Sequence, residues 1–252
     1  MIKLSLLGTG DVRQVPVFGC QCKVCYRARV DVSARRRPCS ALLETDQATL
    51  LLDGGLTDLA ERFDQKPLDS ILLTHYHVDH VQGLFHLRWG IGESIPVYGP
   101  DDQDGCADLF KHPGILDFRS PLVPFERYNL HGVGVTPIPL QHSKPTFGYL
   151  LDYQKVSIAY LTDTVGLPDE SMKFLNQFWL DMMVIDCSHP PQDTPPRNHN
   201  DVNLVLDIHG KLNPAKTVLT HLSHHMDLWL MDNASTLPES VVVANDGDSF
   251  IL

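Results

Sequence analysis

Positive charge is scarce in this chain. Its 252 residues carry 20 lysines and arginines against 31 aspartates and glutamates, a formal net charge of −11. That balance argues against a non-specific nucleic-acid binder, which needs a basic face to displace counterions from phosphates. It still allows a small anionic substrate in a pocket where metal ions supply the positive field. Long apolar runs are missing too. No segment approaches the roughly 18–20 apolar residues that span a bilayer. Met1–Gly10 is a short alternating run ending in Gly-Thr-Gly, without the apolar length or cleavage site of a signal peptide. It reads as a first strand, and the expected location is the cytoplasm, away from membranes. Low-complexity tracts and long linkers are absent, so a single domain over 1–252 is expected.

What is present is an alternation of short apolar segments. Runs of strand length fall at Ile2–Leu7, Ala41–Glu44, Thr49–Leu52, Ser70–Leu73 and Ile95–Tyr98. Further runs are Val133–Leu140, Phe147–Leu151, Val156–Leu161, Met182–Ile185, Thr217–Leu219, Val241–Val243 and Ser249–Leu252. Gly, Pro, Asp or Asn bound most of them, as strand ends require. Helical periodicity fits Leu56–Phe63, Asp79–Leu87, Asp169–Gln177, Asn203–Lys211 and His225–Asn233. Strands outnumber helices, which predicts one α/β domain of two packed sheets with helices outside.

Chemically capable residues follow these strands closely. Asp53, His75, His142, Asp163 and His221 each come just after an apolar run. Strand ends that meet at one edge would converge on a cleft. The densest group is His75-Tyr76-His77-Val78-Asp79-His80, with three histidines and one aspartate in six residues. In an extended loop His75 and His77 can point the same way. Asp79 and His80 begin the next helix and diverge, which suits a second ion. Imidazole and carboxylate ligands fit Zn, Mn or Fe. Singly the later residues are weaker: a lone His near an apolar run is more often structural, and Asp163 could be an N-cap. Asp53 suits the role of orienting a ligand His through its other ring nitrogen.

The H-x-H-x-D-H run resembles the signature of the metallo-β-lactamase superfamily. The resemblance implies an αββα sandwich of two mixed sheets with helices outside and metals at one sheet edge. It further implies that His75, His77 and His142 hold one ion, that Asp79, His80 and His221 hold the other, and that Asp163 bridges them. Two such ions polarise a phosphoryl or carbonyl oxygen and activate water.

A second cluster lies near the N-terminus, in a loop at about 19–26. Cys20, Cys22 and Cys25 supply three thiols, and in a reducing compartment such a cluster suggests metal before disulfide. A closed zinc site wants four ligands. His224 is the candidate fourth, His225 its rival, and three plain packing cysteines the alternative; Cys39, Cys106 and Cys187 read as packing residues.

With the Cys-x-Cys-x-x-Cys run, the chain resembles the PhnP-type phosphodiesterases of the carbon–phosphorus lyase pathway. The same resemblance shows in Arg-Trp-Gly at Arg88, Val97-Tyr98-Gly99-Pro100, Leu109–Gly114, Phe147–Leu150, Asp186–Pro190 and Arg197-Asn198-His199. It implies hydrolysis of 5-phosphoribosyl 1,2-cyclic phosphate to ribose 1,5-bisphosphate in phosphonate catabolism, and activity on 2′,3′-cyclic nucleotides. It also implies two Mn(2+) at the catalytic pair, one structural Zn(2+) and a homodimer. His199 and Asp79 become the catalytic positions, with His199 as the acid for the leaving oxygen; as a bare residue His199 reads as a surface His in a Pro-rich loop (Pro190, Pro191, Pro195, Pro196). Ser143, Lys144 and Arg197 are candidates for the substrate's second phosphate, and His112 and His189 have no assigned role. The rivals are a PQQ-biosynthesis-type protein, a tRNA 3′-processing-type nuclease, a thioesterase or lactamase of the same fold, and a metal-binding protein without catalysis.

Overall fold

The computed structural model describes residues 1–194 and 196–252; Pro195, in the Pro-rich loop, lies outside the described residues. The first half of the chain runs β1 (Lys3–Gly8), α1 (Lys23–Val30), β2 (Ser40–Glu44), β3 (Thr49–Leu52), α2 (Leu59–Arg62) and β4 (Ser70–Leu72). It continues with α3 (Val78–Val81), α4 (Leu84–Leu87), β5 (Ile95–Tyr98), α5 (Ala107–Lys111) and β6 (Leu116–Phe118). The second half runs β7 (Tyr128–Leu130), β8 (Val133–Pro139), β9 (Phe147–Tyr153), β10 (Val156–Leu161), α6 (Asp169–Leu175) and β11 (Met182–Asp186). Then come α7 (Val202–Leu212), β12 (Thr217–Thr220), α8 (His224–Asn233), β13 (Val241–Val243) and β14 (Ser249–Ile251).

The strands form two seven-stranded sheets, ordered β14-β1-β2-β3-β4-β5-β6 and β13-β12-β11-β10-β9-β8-β7. Both are mixed in the same way. From β14 to β3 the neighbours are antiparallel and from β3 to β6 parallel. From β7 to β10 they are antiparallel and from β10 to β13 parallel. Each sheet changes sense at its centre, at β3/β4 and at β10/β11.

Side-chain alternation sorts the strands into layers. Leu50 and Leu52 of β3 join Ile158 and Tyr160 of β10 and Val184 of β11 between the sheets. Leu51 faces the other way, onto Leu59 of α2, Val81 of α3 and Leu84 of α4. Ala159, Leu161, Met183 and Ile185 back onto Leu175 of α6, Val205 and Ile208 of α7 and Met226 of α8. These central strands read as unbroken apolar runs because both of their faces are buried. The order helix, sheet, sheet, helix is the predicted αββα sandwich.

Three sequence expectations needed correction. Asp79–Leu87 is not one helix but two short ones. Gly54 of the β3–α2 loop inserts between them, donating to His80 O at 2.7 Å and accepting from Gly83 N at 2.8 Å, so the i→i−4 ladder breaks at Gly83. A Cβ on Gly55 would lie 1.8 Å from Asp79 O, so only glycine allows this approach. Helix α1 had no sequence signal because it buries only Val24, Cys25 and Ala28. Strands β6 and β7 were missed because each is three residues long at a sheet edge. Among the described residues, no helix is long and apolar enough to cross a membrane.

Candidate metal centre

The polar strand ends meet where the sheets change sense. Asp53 follows β3, Thr74 and His75 follow β4, His142 follows β8, Asp163 follows β10, Asp186 ends β11 and His221 follows β12. Asp53, Asp163 and His221 have φ of 61°, 63° and 54°, left-handed values that non-glycine residues rarely adopt. Such strain, on the order of 1–3 kcal/mol per residue, persists where surrounding structure over-determines it, and it clusters at functional sites. No helix begins at Asp163, so the capping alternative does not hold; α6 starts at Asp169.

The donor atoms form two triads. His77 Nδ1 lies 2.8 Å from His75 Nε2 and 3.1 Å from His142 Nε2. Asp79 Oδ2 lies 3.5 Å from His80 Nε2 and 3.6 Å from His221 Nε2. Asp163 touches both groups: Oδ2 is 3.0 Å from His80 Nε2, while Oδ1 is 3.4 Å from His221 Nε2 and 3.7 Å from His142 Nε2. This is the arrangement expected of a bridging carboxylate.

Each of the five imidazoles presents one nitrogen inward and has the other held. His75 Nδ1 lies 3.0 Å from Thr74 Oγ1, and His80 Nδ1 lies 2.9 Å from Asp53 Oδ2. Asp53 is itself fixed by the Thr74 N–H at 2.8 Å. His142 Nδ1 donates to Asn198 O at 3.0 Å, and His221 Nδ1 lies 3.0 Å from Ser188 Oγ. His77 Nε2 lies 3.4 Å from Ser143 Oγ. Outer partners of this kind fix the tautomer and the ring plane of a metal-binding His.

Two observations say that the space between these atoms suits cations. His80 Nε2 and His221 Nε2 are buried and have no hydrogen-bond partner, a costly state unless something else engages them. The electrostatics agree. Burial works against charge on His221, yet the Asp163 and Asp79 carboxylates push its imidazole up to about 10. His80 is likewise held well above its ordinary value by Asp163 and Asp53 despite burial. Burial would raise Asp163, but His221 and His80 hold it well below the usual carboxylate range. Burial lowers His75, and the neighbouring His80 lowers it further. The cluster thus demands positive charge at its centre, and its nitrogen and carboxylate donors fit divalent Zn, Mn or Fe.

His199 stands beside the triads. Its Nδ1 is 3.2 Å from Asp186 Oδ2 and 3.5 Å from Asp163 Oδ1, and its ring stacks on His221 with centroids 4.8 Å apart. Asp186 is fully buried and also accepts from Thr164 N and Asn200 Nδ2. Neither Asp186 nor Ser188 was singled out as a site residue from sequence. The usable signal for Asp186 was its position: it ends an apolar run just as Asp53 and Asp163 follow theirs.

The cysteines assemble as a second centre. His224 Nδ1 lies 3.4 Å from Cys20 Sγ and 3.6 Å from both Cys22 Sγ and Cys25 Sγ. A tetrahedral zinc with bonds of about 2.3 Å to sulfur and 2.0 Å to nitrogen has S···N edges of about 3.5 Å. His225 is exposed and stacks on His224 at 4.0 Å, outside the group.

The remaining candidates divide. Ser143 is exposed beside His77, and Lys144 is paired with Asp102 at 2.8 Å. Arg197 is exposed two residues before His199. His189 is half-buried 6.4 Å from the His199 ring. His112 is exposed at the end of α5, where its carbonyl accepts from Arg88 at 3.3 Å. Of the other cysteines, Cys39 and Cys187 are buried and Cys106 partly so.

A family model described as "Beta-lactamase superfamily domain" matches residues 50–222, and with this fold the chain belongs to the metallo-β-lactamase superfamily. Within it the chain is similar end to end to a crystal structure described as a new diphosphatase from the PhnP family. That similarity has a TM-score of 0.83 at 30% identity and covers 99% of this chain and 96% of the other. An octanoyltransferase of Porphyromonas gingivalis is 29% identical over 98% of this chain and 51% of its own length. A ribonuclease Z of Methanopyrus kandleri is 28% identical over 46% of this chain and 44% of its own. The chain spans about half the length of the curated relatives it matches. The fold is that of the superfamily, and the His/Asp cluster is suited to divalent metal.

Proposed function

We propose that this protein is a metal-dependent hydrolase, a cyclic phosphodiesterase that opens 5-phosphoribosyl 1,2-cyclic phosphate to ribose 1,5-bisphosphate and also accepts 2′,3′-cyclic nucleotides. His75, His77 and His142 would hold one divalent ion, Asp79, His80 and His221 the other, with Asp163 common to both; manganese is the expected metal here and zinc at the cysteine centre. Bound there, the ions supply Lewis acidity toward phosphoryl oxygens and activation of water.

The observation that carries the reading is His199 on Asp186. A phosphodiester leaves as a basic alkoxide, which needs a proton, and a positioned His supplies one. Asp186 engages Nδ1 of His199, which leaves Nε2 as the nitrogen to donate the proton. Stacking on His221 keeps the ring beside the triads. Asp53, Thr74, Ser188, Asn198 and Ser143 keep the five inward nitrogens aimed. Arg197 and Ser143 remain the candidate donors to a second phosphate, while Lys144 has part of its charge committed to Asp102.

The test is to assay manganese-loaded protein on the ribosyl cyclic phosphate, a 2′,3′-cyclic nucleotide, a sugar diphosphate, a 3′-extended tRNA, a β-lactam and a thioester. Cleavage of the cyclic phosphates with the highest kcat/KM is the expected result. No cyclic-phosphate cleavage would sink the reading. Preference for the diphosphate would move it toward the activity named for the PhnP-family neighbour, and preference for tRNA toward that of the ribonuclease Z relatives.

A further inference from the structure

The two centres share one short segment, His221-Leu222-Ser223-His224. Its first residue faces Asp79 and Asp163 and its last faces three thiols. Everything between is pinned. Leu222 donates to Thr9 O at 2.8 Å and accepts from Asp11 N at 3.3 Å. Ser223 caps α8 through Met226 N and donates to Ser188 O at 2.5 Å. Ser188 in turn donates to His221 O at 2.7 Å. His221 holds its left-handed backbone conformation within this frame.

The lobe beyond His224 is tied to the fold by the Val15–Arg36 backbone pair at 2.9 and 3.0 Å, and Arg29 holds the Val17 and Cys20 carbonyls within it. Its apolar cluster is Val15, Val24 and Ala28, too small to order a loop by burial alone. The cysteines are also placed for redox chemistry. Cys22 caps an eight-residue helix and accepts the Cys25 N–H at 3.4 Å, so Cys22-Lys23-Val24-Cys25 is a C-x-x-C turn at a helix start. Cys22 is partly exposed and Cys25 buried. All four donor atoms lie within 4.8 Å of one another.

We infer that Cys22 and Cys25 form a peroxide-sensitive modification site whose oxidation lowers metal occupancy at the hydrolytic centre through His224 and His221. This rests on the metal-ligand reading given above. The Cys22 thiolate attacks a peroxide oxygen; with one proton it becomes a sulfenic acid and a water leaves. The Cys25 thiolate then attacks the Cys22 sulfur, and with a second proton another water leaves and the disulfide forms. Each sulfur gives up one electron, hydrogen peroxide takes both, and the divalent ion departs unreduced. Losing two thiolates frees His224, unties α1 from α8 and relaxes His221.

The experiment treats the protein, loaded with zinc and manganese, with hydrogen peroxide. It reads zinc release with a chromogenic chelator, remaining manganese by elemental analysis and disulfides by peptide mapping. The expected result is zinc loss, a Cys22–Cys25 disulfide and loss of about half of the bound manganese, all restored by a thiol reductant with zinc. The variant Cys22→His keeps an ion ligand but cannot form the disulfide, so its manganese should resist the same peroxide dose. Zinc release with all manganese retained would overturn the coupling. Oxidation without a Cys22–Cys25 disulfide, or no zinc to release, would overturn the site itself. None of these readouts uses a substrate, so they stand apart from the choice of reaction.

Discussion

The two halves of this molecule share a design and differ in how they use it. Each sheet runs three antiparallel pairings and then three parallel ones. Each places an aspartate with φ just above 60° after the strand where the sense changes, Asp53 after β3 and Asp163 after β10. From there they diverge. The first half gathers its candidate ligands into the turn after β4 and the start of α3, and its aspartate holds His80 from behind. The second half scatters single residues over β8, β10 and β12, and its aspartate faces the centre itself. One matched backbone position therefore stands behind His80 in one sheet and between the two triads in the other. The side chain pointed across the sandwich decides which.

That contrast can be broken experimentally. The largest effect is expected from Asp163→Asn, because Asp163 touches both triads. Activity should fall by about 10,000-fold, comparable to losing one member of a catalytic unit, with less than full metal in elemental analysis; full metal and near wild-type turnover would end the bridging role. Next is His199→Ala. A proton donor is worth about 100- to 10,000-fold in kcat, and this variant should lose that rate with metal content unchanged. A substrate with an activated leaving group should restore most of it; an equal loss on that substrate would reassign His199 to structure.

Asp53→Asn tests the first-half aspartate. Removing the partner of His80 should weaken metal binding about 10- to 100-fold, as read from a chelator competition series; unchanged affinity would contradict the orienting role. Ser188→Ala is the matching change behind His221 in the second half. A neutral hydrogen bond contributes roughly 0.5–1.5 kcal/mol net, so affinity should drop only about 2- to 10-fold. If Ser188→Ala cost more than Asp53→Asn, the second half would be the more dependent on its outer partners.

The sequence made the first half's chemistry legible because His75, His77, Asp79 and His80 occupy six consecutive positions. Cys20, Cys22 and Cys25 were legible for the same reason. His142, Asp163 and His221 stood out by their strand-end positions, but their reading as ligands came from the metallo-β-lactamase resemblance. Asp186 and Ser188 stayed hidden, since an Asp ending an apolar run is common and a Ser beside a Cys carries no chemical mark. The helix α1 was missed because it packs against a few residues only, and the break at Gly83 because Gly54 reaches it from elsewhere in the chain.

By itself, then, the sequence determined the strand periodicity, the two-layered apolar core and the composition of both clusters. These depend on local alternation and on neighbours along the chain. Only the tertiary structure decided that His224 and not His225 completes the cysteine group, that Asp163 touches both triads and that Asp186 stands behind His199. Those facts depend on which strand ends the sandwich brings to a common edge. Such contacts link residues far apart in sequence, and burial of both sheet faces fixes them where local periodicity cannot.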